Sequence, residues 1–219
     1  GKIRSFMKEL HELAHQSDDS RVTAIRRCDF CKDIVDVYSP SIWAGWYRGI
    51  FTDYKNASFH EMQQVKHFFH AEWGGDCHAR RHAEDPFINL DKIEAGKGAD
   101  ERAGDASLYG GNARASYVNQ KGVVERDLTP KETYYVFQSY WAKKPMIHIY
   151  GHTWPIRWGK PEEMKEILVY SNCPQVELIV NGVPQGIKKR NSQDYPAAGL
   201  HWNCKLQAGE NTVIALSKG

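Results

Sequence analysis

Apolar residues in this chain change their spacing part-way along, and the change divides it. Over residues 2–16, Ile3, Phe6, Met7, Leu10, Leu13 and Ala14 recur at helical intervals, which predicts an amphipathic helix. Val22, Ala24 and Ile25 then mark a short strand, and Ile34, Val35 and Val37 a second one, stopped by Pro40. Phe59, Met62 and Val65 place another helix over 57–66. Next comes His67-Phe68-Phe69-His70-Ala71-Glu72, read as a short buried strand that ends on a carboxylate. Gly74 and Gly75 follow at once and allow a sharp turn close to a ligand. Strands alternating with helices imply a parallel sheet or barrel. A carboxylate at the C-terminal end of such a strand stands where an α/β barrel places its catalytic groups.

Residues 73–116 break the pattern. They are rich in Gly, Ala, Asp, Arg and His and contain no apolar strand, an unusual length of structureless chain for a compact domain. Order resumes at 122. Thr129-Pro130-Lys131-Glu132 reads as a capping box, with Thr129 as N-cap, opening a helix that runs to about Ala142. Lys143-Lys144-Pro145 ends it. Beyond Pro145 the period becomes two: 146–150, 166–170, Val176/Leu178/Val180, Trp202/Cys204/Leu206 and 212–216. Asn181-Gly182 between two such runs is a strong hairpin signal. Short strands at this spacing predict a β-sandwich. The expected fold class is therefore α/β plus all-β, with domains at 1–144 and 145–219.

Composition narrows the classes. A formal charge of +2 and 26% charged residues give no reason to expect nucleic acid or a membrane surface as partner. No run is long and apolar enough to span a bilayer as a helix. The five cysteines are odd in number and mostly scattered, so no disulfide framework is implied. Cys28-Asp29-Phe30-Cys31 is a lone C-x-x-C without the second ligand pair that a structural zinc site needs. Neither a cofactor nor a metal is expected. Seven Trp and eleven Tyr offer flat faces that suit sugar rings, although aromatics also fill cores. The chain opens almost directly into a helix with no visible signal peptide, as a cut fragment would.

Three stretches carry a family resemblance. His70-Ala71-Glu72-Trp73-Gly74-Gly75 resembles the nucleophile strand of glycoside hydrolase family 2, the β-galactosidase and β-glucuronidase family. Asp36 to Tyr47, ending in Gly45-Trp46-Tyr47, resembles the preceding strand of that family. Val176-Glu177-Leu178-Ile179-Val180-Asn181-Gly182 resembles the hairpin of its immunoglobulin-like domains. The resemblance implies the second half of a TIM (β/α)8 barrel followed by an immunoglobulin-like β-sandwich. It also implies hydrolysis of terminal β-galactosides by a retaining mechanism, with a carbohydrate as partner. A periplasmic or secreted parent, forming a homo-oligomer through its full length, goes with the same expectation. The family's last barrel strand has no counterpart here, which raises the expectation of a break in the chain at Ser116-Tyr117.

A retaining glycosidase needs two carboxyl groups about 5–5.5 Å apart, one as nucleophile and one as acid/base. The resemblance assigns the nucleophile to Glu72. The family's acid/base belongs to an Asn-Glu pair upstream, and no such dipeptide precedes Glu72. The fragment alone is accordingly expected to be inactive, and a non-catalytic carbohydrate-binding or structural piece is the alternative. Trp43, Trp46, Tyr47 and Trp73 are candidates to stack on a sugar. Asp76, His78 and Arg81 are candidates for sugar hydroxyls or an anionic substituent, since Arg suits bidentate anion contacts. His78 and His82 lie four apart, as helical metal ligands can, but without an H-E-x-x-H motif.

Overall fold

In the computed structural model, which describes residues 1–44, 53–72, 122–152, 154–194 and 197–218, the chain forms two units, Gly1–Gly75 and Asp76–Gly219. The first opens with helix α1 (Lys2–Ser17). Strand β1 (Ala24–Arg26), a 3-10 turn (Asp29–Cys31) and strand β2 (Val37–Ser39) follow. The two strands pair in parallel, Ile25 opposite Tyr38. Helix α2 (Asp53–Met62) leads to a third extended segment, joined to β2 by a parallel bridge between Tyr38 and Phe68. Tyr38 N–H donates to the His67 carbonyl (3.0 Å), and Phe69 N–H to the Tyr38 carbonyl (3.1 Å). The parallel arrangement thus extends to the segment before Glu72.

Three readings of this unit are corrected. The apolar stripe of α1 is not its packed face: Ile3, Phe6 and Leu13 are each more than half exposed. Of the stripe only Met7 turns inward, together with Arg4, His11 and His15, for which polar partners wait there. Arg4 forms a bidentate pair with Asp33 (2.7 and 2.8 Å), and the two histidines meet Thr23 and Asp36. Helix α2 begins and ends about four residues earlier than its apolar spacing indicates, with Asp53 in its first turn, where a carboxylate suits the helix dipole. The segment 67–72 is not a fully buried strand, since Phe69 and Ala71 are exposed and only Phe68 makes a ladder bridge. A parallel strand is buried when helices cover both of its faces, and here only alternate residues are covered.

In the second unit, helix α3 (Glu132–Trp141) precedes six strands: β3 (Ile147–Ile149), β4 (Met164–Ser171), β5 (Gln175–Val180), β6 (Val183–Lys189), β7 (His201–Lys205) and β8 (Val213–Ser217). They make two three-stranded antiparallel sheets, ordered β3-β4-β7 and β6-β5-β8. One cluster fills the space between them. Ile167, Val169, Trp202 and Cys204 come from the first sheet, and Val176, Leu178 and Val180 from the second. The period-two reading of β5 is met residue by residue, with Val176, Leu178 and Val180 buried and their neighbours partly exposed. Asn181 (φ 51°) and Gly182 (φ 78°) close the β5–β6 hairpin with the paired positive angles that favour Asn-Gly.

The capping box is a further correction. Lys131 is the N-cap of α3 and no side chain caps it, while Pro130 pairs with Val124 in an antiparallel bridge. That bridge, with Glu125 N–H donating to the Thr129 carbonyl (2.8 Å), holds Thr129 outside the helix. Helix α3 lies in the same unit as the sheets and is tied to them: Arg190 Nη2 donates to the Ser139 carbonyl (3.3 Å) and Asn172 Nδ2 to that of Ala142 (2.9 Å). The expected break at Ser116-Tyr117 and the strandless stretch up to residue 116 lie outside the described residues.

Candidate functional site

The parallel pairing of β1, β2 and the segment at Phe68 puts their C-terminal ends at one edge. Arg26, Ser39 and Glu72 stand on that edge. Ala71 N–H donates to the buried Ser39 hydroxyl (3.0 Å), which anchors the chain one residue before Glu72. Arg26 Nη2 approaches Glu72 Oε2 to 2.5 Å. Glu72 Oε2 is buried, yet the approach lies off the hydrogen-bonding direction, so the contact is an ion pair and not a hydrogen bond. Arg26 Nε donates to Ser41 Oγ (2.7 Å). Ser41 is itself buried, with a left-handed backbone (φ 58°) that few non-glycine residues adopt. Its hydroxyl is thereby held where it can orient the guanidinium.

Trp43 is the second expected residue at this edge. The Arg27 guanidinium lies over its ring at 4.5 Å, and that of Arg26 is 6.0 Å away. Arg26 thus links the two expected residues, paired with Glu72 on one side and near the Trp43 ring that Arg27 covers on the other. Trp46, Tyr47, Trp73, Asp76, His78 and Arg81 lie outside the described residues. Sequence reasoning missed Arg26 and Arg27. Their signal was a pair of charges closing the first strand, at the C-terminal edge of the parallel pair.

Beneath the edge, His70 is half-buried beside Phe68 (ring centroids 4.9 Å) and 3.2 Å from Ser58 Oγ, and burial lowers its pKa. Tyr38 is fully buried and donates its hydroxyl to Asp29, and burial followed by that bond raises its pKa. Burial and Cys31 raise that of Cys28, the reverse of what a reactive thiolate needs. Two histidine-containing groups could hold a metal ion among the described residues: His11, His15 and Asp36, and Glu132, His148 and His152. Both contain a His-x-x-x-His spacing that sequence reasoning passed over.

Residues 162–219 match the model of a domain of unknown function, DUF4982. The crystal structure of Parabacteroides merdae β-glucuronidase superposes with a TM-score of 0.77 at 62% identity, covering 99% of this chain and 33% of that one. A Formosa agariphila protein, whose name assigns it provisionally as a β-glucuronidase, is 40% identical over 261 positions, 99% of this chain and 32% of its own. The Bacteroides ovatus β-galactosidase BoGH2A is 34% identical over 116 residues, 53% of this chain and 13% of its own. These relatives are glycoside hydrolases. The chain is similar over nearly its whole length to proteins of glycoside hydrolase family 2 and spans about a third of the length of the relatives that match it throughout. The 261 aligned positions exceed the chain's 219 residues, so the Formosa protein has at least 42 positions without a counterpart here.

Proposed function

We propose that this chain supplies the nucleophile half of a retaining β-glucuronidase, with Glu72 as the attacking carboxylate. The observation that supports the reading is the placement of Glu72 at the C-terminal edge of parallel strands, paired with Arg26. In this reading the first unit is part of a (β/α)8 barrel and the two sheets are an immunoglobulin-like sandwich. Glu72 attacks the anomeric carbon, and an acid/base Glu outside this chain protonates the leaving oxygen and then activates water. The chain alone does not turn over substrate. The unmatched positions of the Formosa alignment support barrel chain missing from this sequence, for which Ser116-Tyr117 remains the proposed seam.

The substrate moves from galactoside, the first expectation, to glucuronide, because two relatives matched over 99% of the chain carry that name. A glucuronide brings a carboxylate, for which Arg81 is the proposed partner. Trp43, Trp46, Tyr47 and Trp73 stack on the ring, and Asp76 and His78 take hydroxyls. A periplasmic or secreted homo-oligomer remains the proposed setting.

The test uses a full-length enzyme carrying these residues. Glu72→Gln should lower kcat/KM on a β-glucuronide by about 10⁴-fold or more, as loss of a nucleophile does, with the fold intact. A 2-deoxy-2-fluoro glucuronide should label Glu72. Near wild-type turnover in the variant ends the nucleophile assignment, and faster hydrolysis of the matched β-galactoside restores the BoGH2A-like substrate.

A further inference from the structure

The chemistry proposed for Glu72 makes no use of a second polar cluster, which lies in the other unit. Glu132 opens helix α3, His148 is the middle residue of β3, and His152 follows it by four residues in the loop beyond. Glu132 is 1% exposed. Its Oε1 accepts from Gly151 N–H (2.8 Å), His152 N–H (3.2 Å) and His152 Nδ1 (2.7 Å), and its Oε2 faces His148 Nε2 at 2.8 Å. Burial raises the carboxyl's pKa, and these four donors outweigh it and lower it on balance. The Tyr135 ring stacks on His148 at 3.5 Å between centroids and 4° between planes, which fixes the imidazole's plane. Each histidine aims one ring nitrogen at a different oxygen of the same carboxylate.

We propose that Glu132, His148 and His152 bind a divalent transition-metal ion, zinc by preference, that pins α3 to the sheet. Two imidazole nitrogens and one carboxylate oxygen are a donor set that zinc takes in tetrahedral sites, with one position left over. One ligand atom from each residue lies within 4.8 Å of the others. Zinc bonds near 2.0–2.1 Å separate tetrahedral ligands by about 3.3 Å, so shifts below about 1 Å bring the three into place. A neutral imidazole presents a lone pair to the ion by carrying its single proton on the outer nitrogen. The ring of His152 is 28% exposed, which gives that proton access to water. Both histidines also line an open cavity of about 480 Å³, together with Val213 and Ala215. That cavity provides an entry path and room for a water or small anion at the fourth position.

The experiment uses the whole chain, stripped with EDTA and dialysed back against zinc sulfate. One tightly held zinc per chain is expected, with a higher thermal midpoint. His152→Ala should lose that zinc, and so should Glu132→Gln, which keeps the side-chain shape. His11→Ala, which opens the other His-His-Asp cluster, should retain it. In the unmutated chain, zinc should move the histidine-ring NMR signals of His148 and His152 together, a readout that needs no variant to fold. No retained zinc, or zinc that survives His152→Ala and leaves with His11→Ala, overturns the proposal. Ring signals of His148 and His152 that stay still as zinc is added overturn it equally.

Discussion

The two units spend their apolar residues differently. In the sandwich, every second residue of β5 disappears into one cluster, and Val169, Val176, Leu178 and Leu200 are fully buried. In the first unit, α1 carries an equally regular apolar stripe, yet Ile3, Phe6, Leu10 and Leu13 lie open while Arg4, His11 and His15 make the contacts. Hydrophobic spacing states which face can be buried, and it does not state what covers it. The sandwich brings its own cover, because two sheets from one stretch of chain face each other. Helix α1 has no second layer of that kind over its stripe among the described residues.

The contrast breaks first in the sandwich core. Leu178→Ala removes a fully buried side chain between the sheets and should cost about 2–5 kcal/mol of unfolding free energy. Urea denaturation followed by far-UV circular dichroism measures it. A loss below about 1 kcal/mol would mean that the sheets do not share a packed core.

The next effect belongs to Glu132. Removing its charge weakens four hydrogen bonds at once, and Glu132→Gln in EDTA should destabilise the second unit by about 2 kcal/mol at pH 7. The sign with pH follows from the direction of the shift. The folded state holds the Glu132 carboxyl below its ordinary value, so the unfolded chain takes up the proton first as acid is added. The stabilisation is therefore complete above the ordinary glutamate range and drains away as pH falls through the lower, folded value. Wild type and variant should converge in acid. A difference that stays constant from pH 7 to pH 3 would show that Glu132 contributes shape and not charge.

Legibility in the sequence followed the same divide. The sandwich strands and the Asn181-Gly182 hairpin were readable because period two and a positive-φ turn are local properties. The position of Glu72 at the end of an extended segment was readable, while its role rests on the words around it and stays a proposal. Arg26 was not, since nothing adjacent to it in sequence shows that Ser41 and Glu72 converge on its guanidinium; only the parallel register does. Thr129-Pro130-Lys131-Glu132 misled for a related reason. The residues of a capping box were present, but pairing of Val124 with Pro130 set the helix start two residues later.

The smallest effect should come from the open stripe of α1. Leu10 is 43% exposed and shows the same apolar character as Leu178. If hydrophobicity by itself decided stability, Leu10→Ala would cost as much as Leu178→Ala. The physical quantity is area removed from water on folding, at about 25 cal/mol per Å², and an exposed leucine removes little. Alanine is also the better helix former by a few tenths of a kcal/mol, which offsets part of the loss. Leu10→Ala in this chain should therefore change stability by less than about 0.5 kcal/mol, measured in the same urea titration as Leu178→Ala. A cost above about 2 kcal/mol would show that the stripe is buried in solution and that the inward face of α1 has been assigned to the wrong residues.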